Sequence, residues 1–145
     1  MDDKLRQIYR QIPRATCTSG CGECCGVISP SLAEIRAVKE YCAGRGIDFR
    51  EFTDVVGADC PYLTTDRCCE IYPVRPFLCR LLGAAESLPC PLGRCTCGKP
   101  LKAVQASHLY AQVYLHGKEK RRTEAIRSRI APVLRHLLAE DNVGK

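Results

Sequence analysis

Apolar residues recur at helical spacing near both ends of the chain, whereas glycine, proline and cysteine interrupt its middle. A first helix is predicted to run from a cap at Asp2 or Asp3 to about Ile12, where Pro13 stops it. Its apolar stripe comprises Leu5, Ile8 and Ile12. The pattern therefore predicts a short amphipathic helix at the start of the chain.

A second helix is predicted to end near Ala43, and it has two alternative starts. Either Ser29 caps it with Pro30 in the first turn, or Ser31 and Glu34 form a capping box. Its predicted inward face comprises Leu32, Ile35, Val38 and Cys42. A lone cysteine on such a face indicates a small core residue rather than a ligand.

Three further helices are predicted in the second half of the chain. A short one covers 73–82, and two longer amphipathic ones cover 101–116 and 123–139. The two long helices are expected to pair as a helical hairpin over 101–140. We therefore predict a small, mostly α-helical protein that forms a single domain over 1–145.

Composition makes the cysteines the main question, because the chain holds 12 of them in 145 residues. A hydrophobic content of 46% argues against intrinsic disorder, and no apolar run is long enough to span a membrane. The first ten residues lack the apolar segment of a secretory signal, so we expect a cytoplasmic location. Disulfides are rare in that reducing compartment, which favours metal ligands.

The cysteines fall into three groups within the region 16–97, which is predicted to wrap metal in irregular loops. Close spacing suits chelation, since a short loop can aim several thiolates at one point. The glycines Gly20, Gly22 and Gly26 are interleaved with the first group and allow the backbone to turn tightly. The three groups are Cys17, Cys21, Cys24 and Cys25; Cys60, Cys68, Cys69 and Cys79; and Cys90, Cys95 and Cys97.

The order of these residues resembles the YkgJ-like cysteine-cluster family over roughly 16–82. The matching elements are Cys17-x3-Cys21-Gly22-x-Cys24-Cys25, Cys60-Pro61-x-Leu63 and Cys69-x-Ile71-Tyr72-x2-Arg75-Pro76-x2-Cys79-Arg80. The first gap has three residues here, where the family usually has two. The resemblance implies a zinc- or iron-chelating domain, often described as an iron–sulfur protein.

The matching cysteines outnumber the ligands of one four-thiolate site. They are Cys17, Cys21, Cys24, Cys25, Cys60, Cys69 and Cys79, with Cys68, Cys90, Cys95 and Cys97 as further candidates. Adjacent cysteines such as Cys24 and Cys25 point in different directions and suit two metals better than one. We therefore expect two sites or a polynuclear cluster.

Both iron–sulfur clusters and zinc accept all-thiolate ligand sets. The cysteine–proline pairs at Cys60 and Cys90 are typical of ferredoxin-type runs and favour a [4Fe-4S] cluster. The three histidines, His108, His116 and His136, lie outside the cysteine groups in predicted helices, where packing or surface roles are expected. Zinc remains the alternative.

Tyr72, Arg75 and Arg80 are predicted to support the cluster. They are expected to fix its loop through salt bridges and packing, or to offset thiolate charge and bind an anionic substrate.

The C-terminal third is basic, beginning with Lys118, Lys120, Arg121 and Arg122, within a chain of net charge +6. This face is expected to be solvated or to dock a partner, and nucleic acid is not favoured because no aromatics are interleaved.

Three functions follow from the sequence. The favoured one is an iron–sulfur protein in electron transfer, redox sensing or an accessory role to a redox enzyme. The alternatives are a zinc-stabilised binding module that docks a protein or nucleic acid, and an enzyme that acts at an open metal position.

Overall fold

The computed structural model describes residues 1–16, 20–26, 28–52, 59–93 and 97–116. Within these ranges the chain is mostly helical, as predicted, and its only β pairing consists of isolated bridges. The helices are α1 (Asp3–Tyr9), α2 (Leu32–Ala43), a 3₁₀ helix (Tyr72–Val74), α3 (Phe77–Leu81) and α4 (Ala103–His116). The predicted helix over 123–139, and with it the hairpin and the basic face, lies outside the described residues.

Helix α1 begins where the sequence predicts and ends earlier. The Asp2 side chain accepts a hydrogen bond of 2.9 Å from the Leu5 backbone N–H and caps the helix. At the other end, the N–H of Ile12 donates to the Tyr9 carbonyl, which is a tighter 3₁₀ turn. The helix therefore ends at Tyr9, and 3₁₀ turns replace its predicted last residues up to Ile12.

Helix α2 starts in the capping-box register. Ser31 Oγ accepts from the Glu34 N–H at 3.4 Å, and the Glu34 carboxylate accepts from the Ser31 N–H at 2.7 Å. Its buried residues are Ala33, Glu34, Ala37, Val38 and Cys42. The inward face is therefore rotated from the predicted one, and Leu32 and Ile35 are only partly buried.

The predicted helix over 73–82 is divided in two by Pro76. This proline has no N–H to donate and disfavours helical angles at Arg75, whose φ and ψ are −54° and 140°. The 3₁₀ helix ends before it, and α3 begins directly after it.

Helix α4 begins at Ala103, two residues later than predicted. Leu101 is instead paired through its backbone, since its N–H donates to the Ala84 carbonyl and its carbonyl accepts from the Glu86 N–H, both at 2.9 Å. This pairing ties the start of α4 to the turns that follow α3.

Two apolar clusters hold the helices together. The larger lies between α1, α3 and α4 and includes Leu5, Ile8, Phe77, Leu81, Leu109 and Val113. The smaller one packs α2 against the segment that follows it and consists of Val38, Cys42, Tyr62 and Ile71. Cys42 is 1% exposed, which confirms it as a core residue.

Among the described helices, α4 is the longest at 14 residues, whereas a transmembrane helix needs about 20 apolar residues. None of them qualifies as a membrane span.

Candidate metal centre

One cavity of about 390 Å³ gathers cysteines from separate stretches of the chain. Its walls come from the loop over 20–26, the segment over 60–69, α3 and the turn at Cys90. The eight cysteines that line it are Cys21, Cys24, Cys25, Cys60, Cys68, Cys69, Cys79 and Cys90. Every described cysteine of the family-like set is thus at this cavity, together with two of the further candidates.

The cavity is lined with potential ligands that are still spread apart. In the described part of the chain, no three Cys, His, Asp or Glu side chains are placed so that they could hold one metal ion. Metal binding commonly draws flexible ligands together as it stabilises a fold. The donor set fits a soft metal or an iron–sulfur cluster, because the described walls supply eight thiols, one carboxylate (Glu23) and no histidine.

The loop over 20–26 is held tightly against the segment that carries the second cysteine group. A Cβ added at Gly22 would lie 2.8 Å from Leu63 Cδ2 and 3.1 Å from Arg67 Nε, so only glycine fits without a shift. The Cys25 carbonyl accepts a hydrogen bond of 3.3 Å from the Cys60 N–H. This close approach brings the first two cysteine groups together.

The segment around Cys68 and Cys69 folds back as a tight turn. Leu63 and Cys69 form an antiparallel bridge, and the Thr64 N–H donates to the Cys68 carbonyl at 2.9 Å. Arg67 at the end of the turn has a φ of 58°, a strained value for a residue other than glycine. The turn places two adjacent cysteines at the cavity.

Cys79 is carried by α3, and α3 is anchored by a buried carboxylate. Glu34 is 2% exposed, and its Oε1 accepts from the Phe77 N–H at 2.5 Å and from the Tyr9 hydroxyl at 2.7 Å. Since Phe77 is the first residue of α3, Glu34 caps this helix as well as its own.

Repulsion from Cys60 raises the pKa of three other cavity cysteines, Cys25, Cys69 and Cys79. Burial raises the pKa of Cys69 and Cys79, and repulsion from Cys60 raises both further. A hydrogen bond with Cys24 and burial raise the pKa of Cys25, and repulsion from Cys79 and Cys60 adds to this. Burial also raises the pKa of Cys60 itself. These four thiols, Cys25, Cys60, Cys69 and Cys79, line the same cavity and are called the Cys60 quartet.

Cys24 differs from the quartet in the direction of its pKa shift. A hydrogen bond from Cys25 lowers the pKa of Cys24 to about 6, against the opposing effect of burial. The Cys24 thiol therefore ionises more readily than the Cys25 thiol.

The residues predicted to support the cluster, Tyr72, Arg75 and Arg80, all line the cavity. Arg75 lies over the Tyr72 ring at 3.7 Å and donates from Nη1 to the Tyr72 carbonyl at 3.0 Å. Arg80 lies over the Tyr9 ring at 4.3 Å and donates to the carbonyls of Arg75 and Pro73 at 2.9 and 2.8 Å. The expected salt bridges are absent, since the ion pairs among the described residues include neither Arg75 nor Arg80.

Several predicted residues are placed elsewhere. Cys97 is not among the cavity residues, and neither are His108 and His116. His116 instead lies 3.0 Å from the Asp2 carboxylate at the start of α1. Cys17, Cys95 and His136 fall outside the described residues.

Two residues that shape the site, Glu34 and Arg67, were not linked to it by the sequence analysis. Glu34 is recognisable as the last residue of a capping box, but its link to α3 crosses 43 positions. Arg67 lines the cavity and pairs with Glu23 at 3.2 Å, which the sequence did not suggest.

A comparison with protein families gives one match, over residues 16–98. The matching family is CxxCxxCC, described as a putative zinc- or iron-chelating domain. The match covers more than half of the chain and extends past the 16–82 motif resemblance to include the third cysteine group. No curated protein and no solved structure matches the chain.

Proposed function

Because this chain belongs to the CxxCxxCC family of zinc- or iron-chelating domains, we propose that it holds an iron–sulfur cluster for a redox role. The cluster is assigned to the Cys60 quartet, and the role is electron transfer, redox sensing or service to a redox enzyme. The observation that carries this proposal is the meeting of eight cysteines at one cavity.

The quartet supplies the number of thiolates that one [4Fe-4S] cluster needs. Its members are Cys25, Cys60, Cys69 and Cys79, which come from three separate stretches of the chain. A structural zinc ion needs four ligands at about 2.3 Å around a single atom. An open cavity of about 390 Å³ has more room than one ion requires, which supports a cluster over zinc.

The other cavity cysteines could supply ligands for the second site or polynuclear cluster that the sequence predicts. Cys21, Cys24, Cys68 and Cys90 also line the cavity. A second site or a polynuclear cluster would draw on them, and the amount of metal bound per chain distinguishes these from a single centre.

Metal identity is tested on the full chain purified without air. We expect iron and acid-labile sulfide in equal amounts, and visible absorbance that is lost on reduction and recovered on reoxidation. Colourless protein with one zinc ion per chain and no sulfide would contradict the proposal and favour the zinc-stabilised module.

The ligand assignment is tested with a matched pair of alanine variants. Cys79→Ala removes a quartet thiol from α3, whereas Cys42→Ala removes an inward-facing thiol that packs only against the smaller core. We expect Cys79→Ala to lose most of the bound metal and Cys42→Ala to retain it. Equal metal content in the two variants would reject the quartet.

A further inference from the structure

Two arginines stand side by side at the cavity without a carboxylate partner among the described residues. Arg80 donates to the Arg75 carbonyl at 2.9 Å, and both side chains line the cavity. A third cavity arginine, Arg67, is instead paired with Glu23. No described carboxylate neutralises the two positive charges of Arg75 and Arg80, so a negatively charged group in the cavity would be stabilised beside them.

Arg75 differs from Arg80 in how its N–H groups are used. Arg80 donates from both Nε and Nη2 to backbone carbonyls, so it is committed to holding the chain. The hydrogen bonds of Arg75 within the described ranges involve Nη1 alone, and stacking on Tyr72 fixes the plane of the guanidinium. Arg75 thus has an oriented edge with donors to spare.

The charge of Arg75 reaches two members of the Cys60 quartet. Burial raises the pKa of Cys69 and Cys79, and the positive charge of Arg75 opposes this rise in both. Both thiols and Arg75 line the same cavity. A cation on the wall of this cavity would offset the negative charge of thiolates that hold a metal there.

The local charges also balance for one centre. Four thiolates with Zn²⁺ or with [4Fe-4S]²⁺ carry about −2 in total. Arg75 and Arg80 together supply two positive charges.

We propose that Arg75 is a positioning residue of the metal centre, which donates an N–H to a sulfur of Cys69 or Cys79 and offsets the thiolate charge. This inference rests on the proposed metal centre at the quartet. It predicts that Arg75 slows metal loss and, for an iron–sulfur cluster, raises the reduction potential by favouring the more negative, reduced form.

The test compares Arg75→Gln, Arg75→Lys and Arg45→Gln in the full chain. Arg45 is the matched control, because it also stacks on a tyrosine, at 5.3 Å from the Tyr41 ring, and does not line the cavity. Three quantities are measured: metal per chain, the rate of metal transfer to a chelator, and the midpoint potential.

We expect Arg75→Gln to bind the wild-type amount of metal, to lose it about tenfold faster, and to show a lower potential. Arg75→Lys keeps the charge without the planar fork, so it should fall between Arg75→Gln and the wild type. Arg45→Gln should match the wild type in all three measurements. If the centre holds zinc, it has no reduction potential to compare, so the rate of metal loss is the measurement that tests the role of Arg75.

Two results would overturn the inference. One is metal loss from Arg75→Gln at the rate of Arg45→Gln with no change in potential. The other is protection of the wild-type metal by inorganic phosphate that disappears in Arg75→Gln, since Arg75 would then bind an external anion. A wild-type chain that binds no metal would reject the proposed function itself, which is a separate outcome.

Discussion

Two inward-facing cysteines show how neighbours decide what the same side chain does. Cys42 packs among Val38, Tyr62 and Ile71, where it fills space in the smaller core. Cys79 instead lines a cavity with seven other cysteines, and burial together with repulsion from Cys60 and Cys69 raises its pKa. Only the second environment provides the partners that chelation requires.

Because Gly22 lies so close to its neighbours, adding a single methyl group there should destabilise the protein. Gly22→Ala would place Cβ 2.8 Å from Leu63 Cδ2 and 3.1 Å from Arg67 Nε, so the ends of these two side chains must shift in a buried place. We expect a loss of about 1–3 kcal/mol in the free energy of unfolding and a lower metal content. Urea denaturation and metal analysis provide the measurements.

Gly44→Ala is the control for this substitution. Gly44 has a φ of −72°, and an added Cβ would meet its nearest neighbour at an ordinary 3.5 Å. This variant should keep wild-type stability and metal content. A similar loss of stability in both variants would show that the close approach at Gly22 is unimportant.

At the scale of elements, one buried carboxylate joins three helices. Glu34 lies in α2, accepts from the Tyr9 hydroxyl in α1 and caps α3 through the Phe77 N–H. Because α3 carries Cys79, the position of this cavity cysteine depends on Glu34, which does not line the cavity.

Replacing this carboxylate should loosen the site as well as the fold. Glu34→Gln presents an NH₂ group to donors that need an acceptor, which leaves at least one buried donor unsatisfied. We expect a cost of about 1–3 kcal/mol in urea denaturation and faster metal loss.

Glu40→Gln serves as the comparison, since the Glu40 side chain is 68% exposed and pairs with the amino group of Met1. Such an exposed pair contributes about 0–1 kcal/mol. Equal costs for the two substitutions would mean that Glu34 does not hold the helices together.

The differences between predicted and observed helices also arise at this scale. Helical spacing and the Ser31–Glu34 box were sufficient to locate α2, because a cap acts through residues three apart. The end of α1 moved because 3₁₀ turns replace its last predicted residues, and the start of α3 moved because Pro76 disfavours helical angles at Arg75. The start of α4 moved because the backbone of Leu101 pairs with residues far back in the chain.

For the whole molecule, the raised thiol pKa values couple stability to pH. Burial raises the pKa of Cys60, Cys69 and Cys79 above the ordinary value of 9.0. Between the unfolded and folded pKa values, the native state binds more protons than the unfolded state. The metal-free chain should therefore keep its stability below about pH 9 and lose it as the pH rises further.

Metal binding should show the opposite pH trend. The ligands must be deprotonated to bind, so metal affinity should increase as the pH rises. Urea denaturation of metal-free and metal-loaded protein across about pH 7–10 tests both trends. The difference in the free energy of unfolding between metal-loaded and metal-free protein should increase with pH. A difference that stays constant would show that these thiols do not bind the metal.

The sequence by itself determined the chemistry and most of the local structure of this protein. Its family-like cysteines, the Tyr72, Arg75 and Arg80 motif and the helical stripes are patterns that short spacings reveal, because caps, turns and chelating loops depend on near neighbours. The described cysteines of that pattern all line the cavity, as do the three residues of the motif.

Only the tertiary structure decided which side chains share a place. It brought Cys25, Cys60, Cys69 and Cys79 together, added Cys90 and Arg67 to the cavity, and made Glu34 the anchor of α3. These contacts join residues that are distant in the chain and depend on how the helices pack. Short-range sequence patterns do not predict such contacts, because which helix faces pack together depends on the fold of the whole molecule.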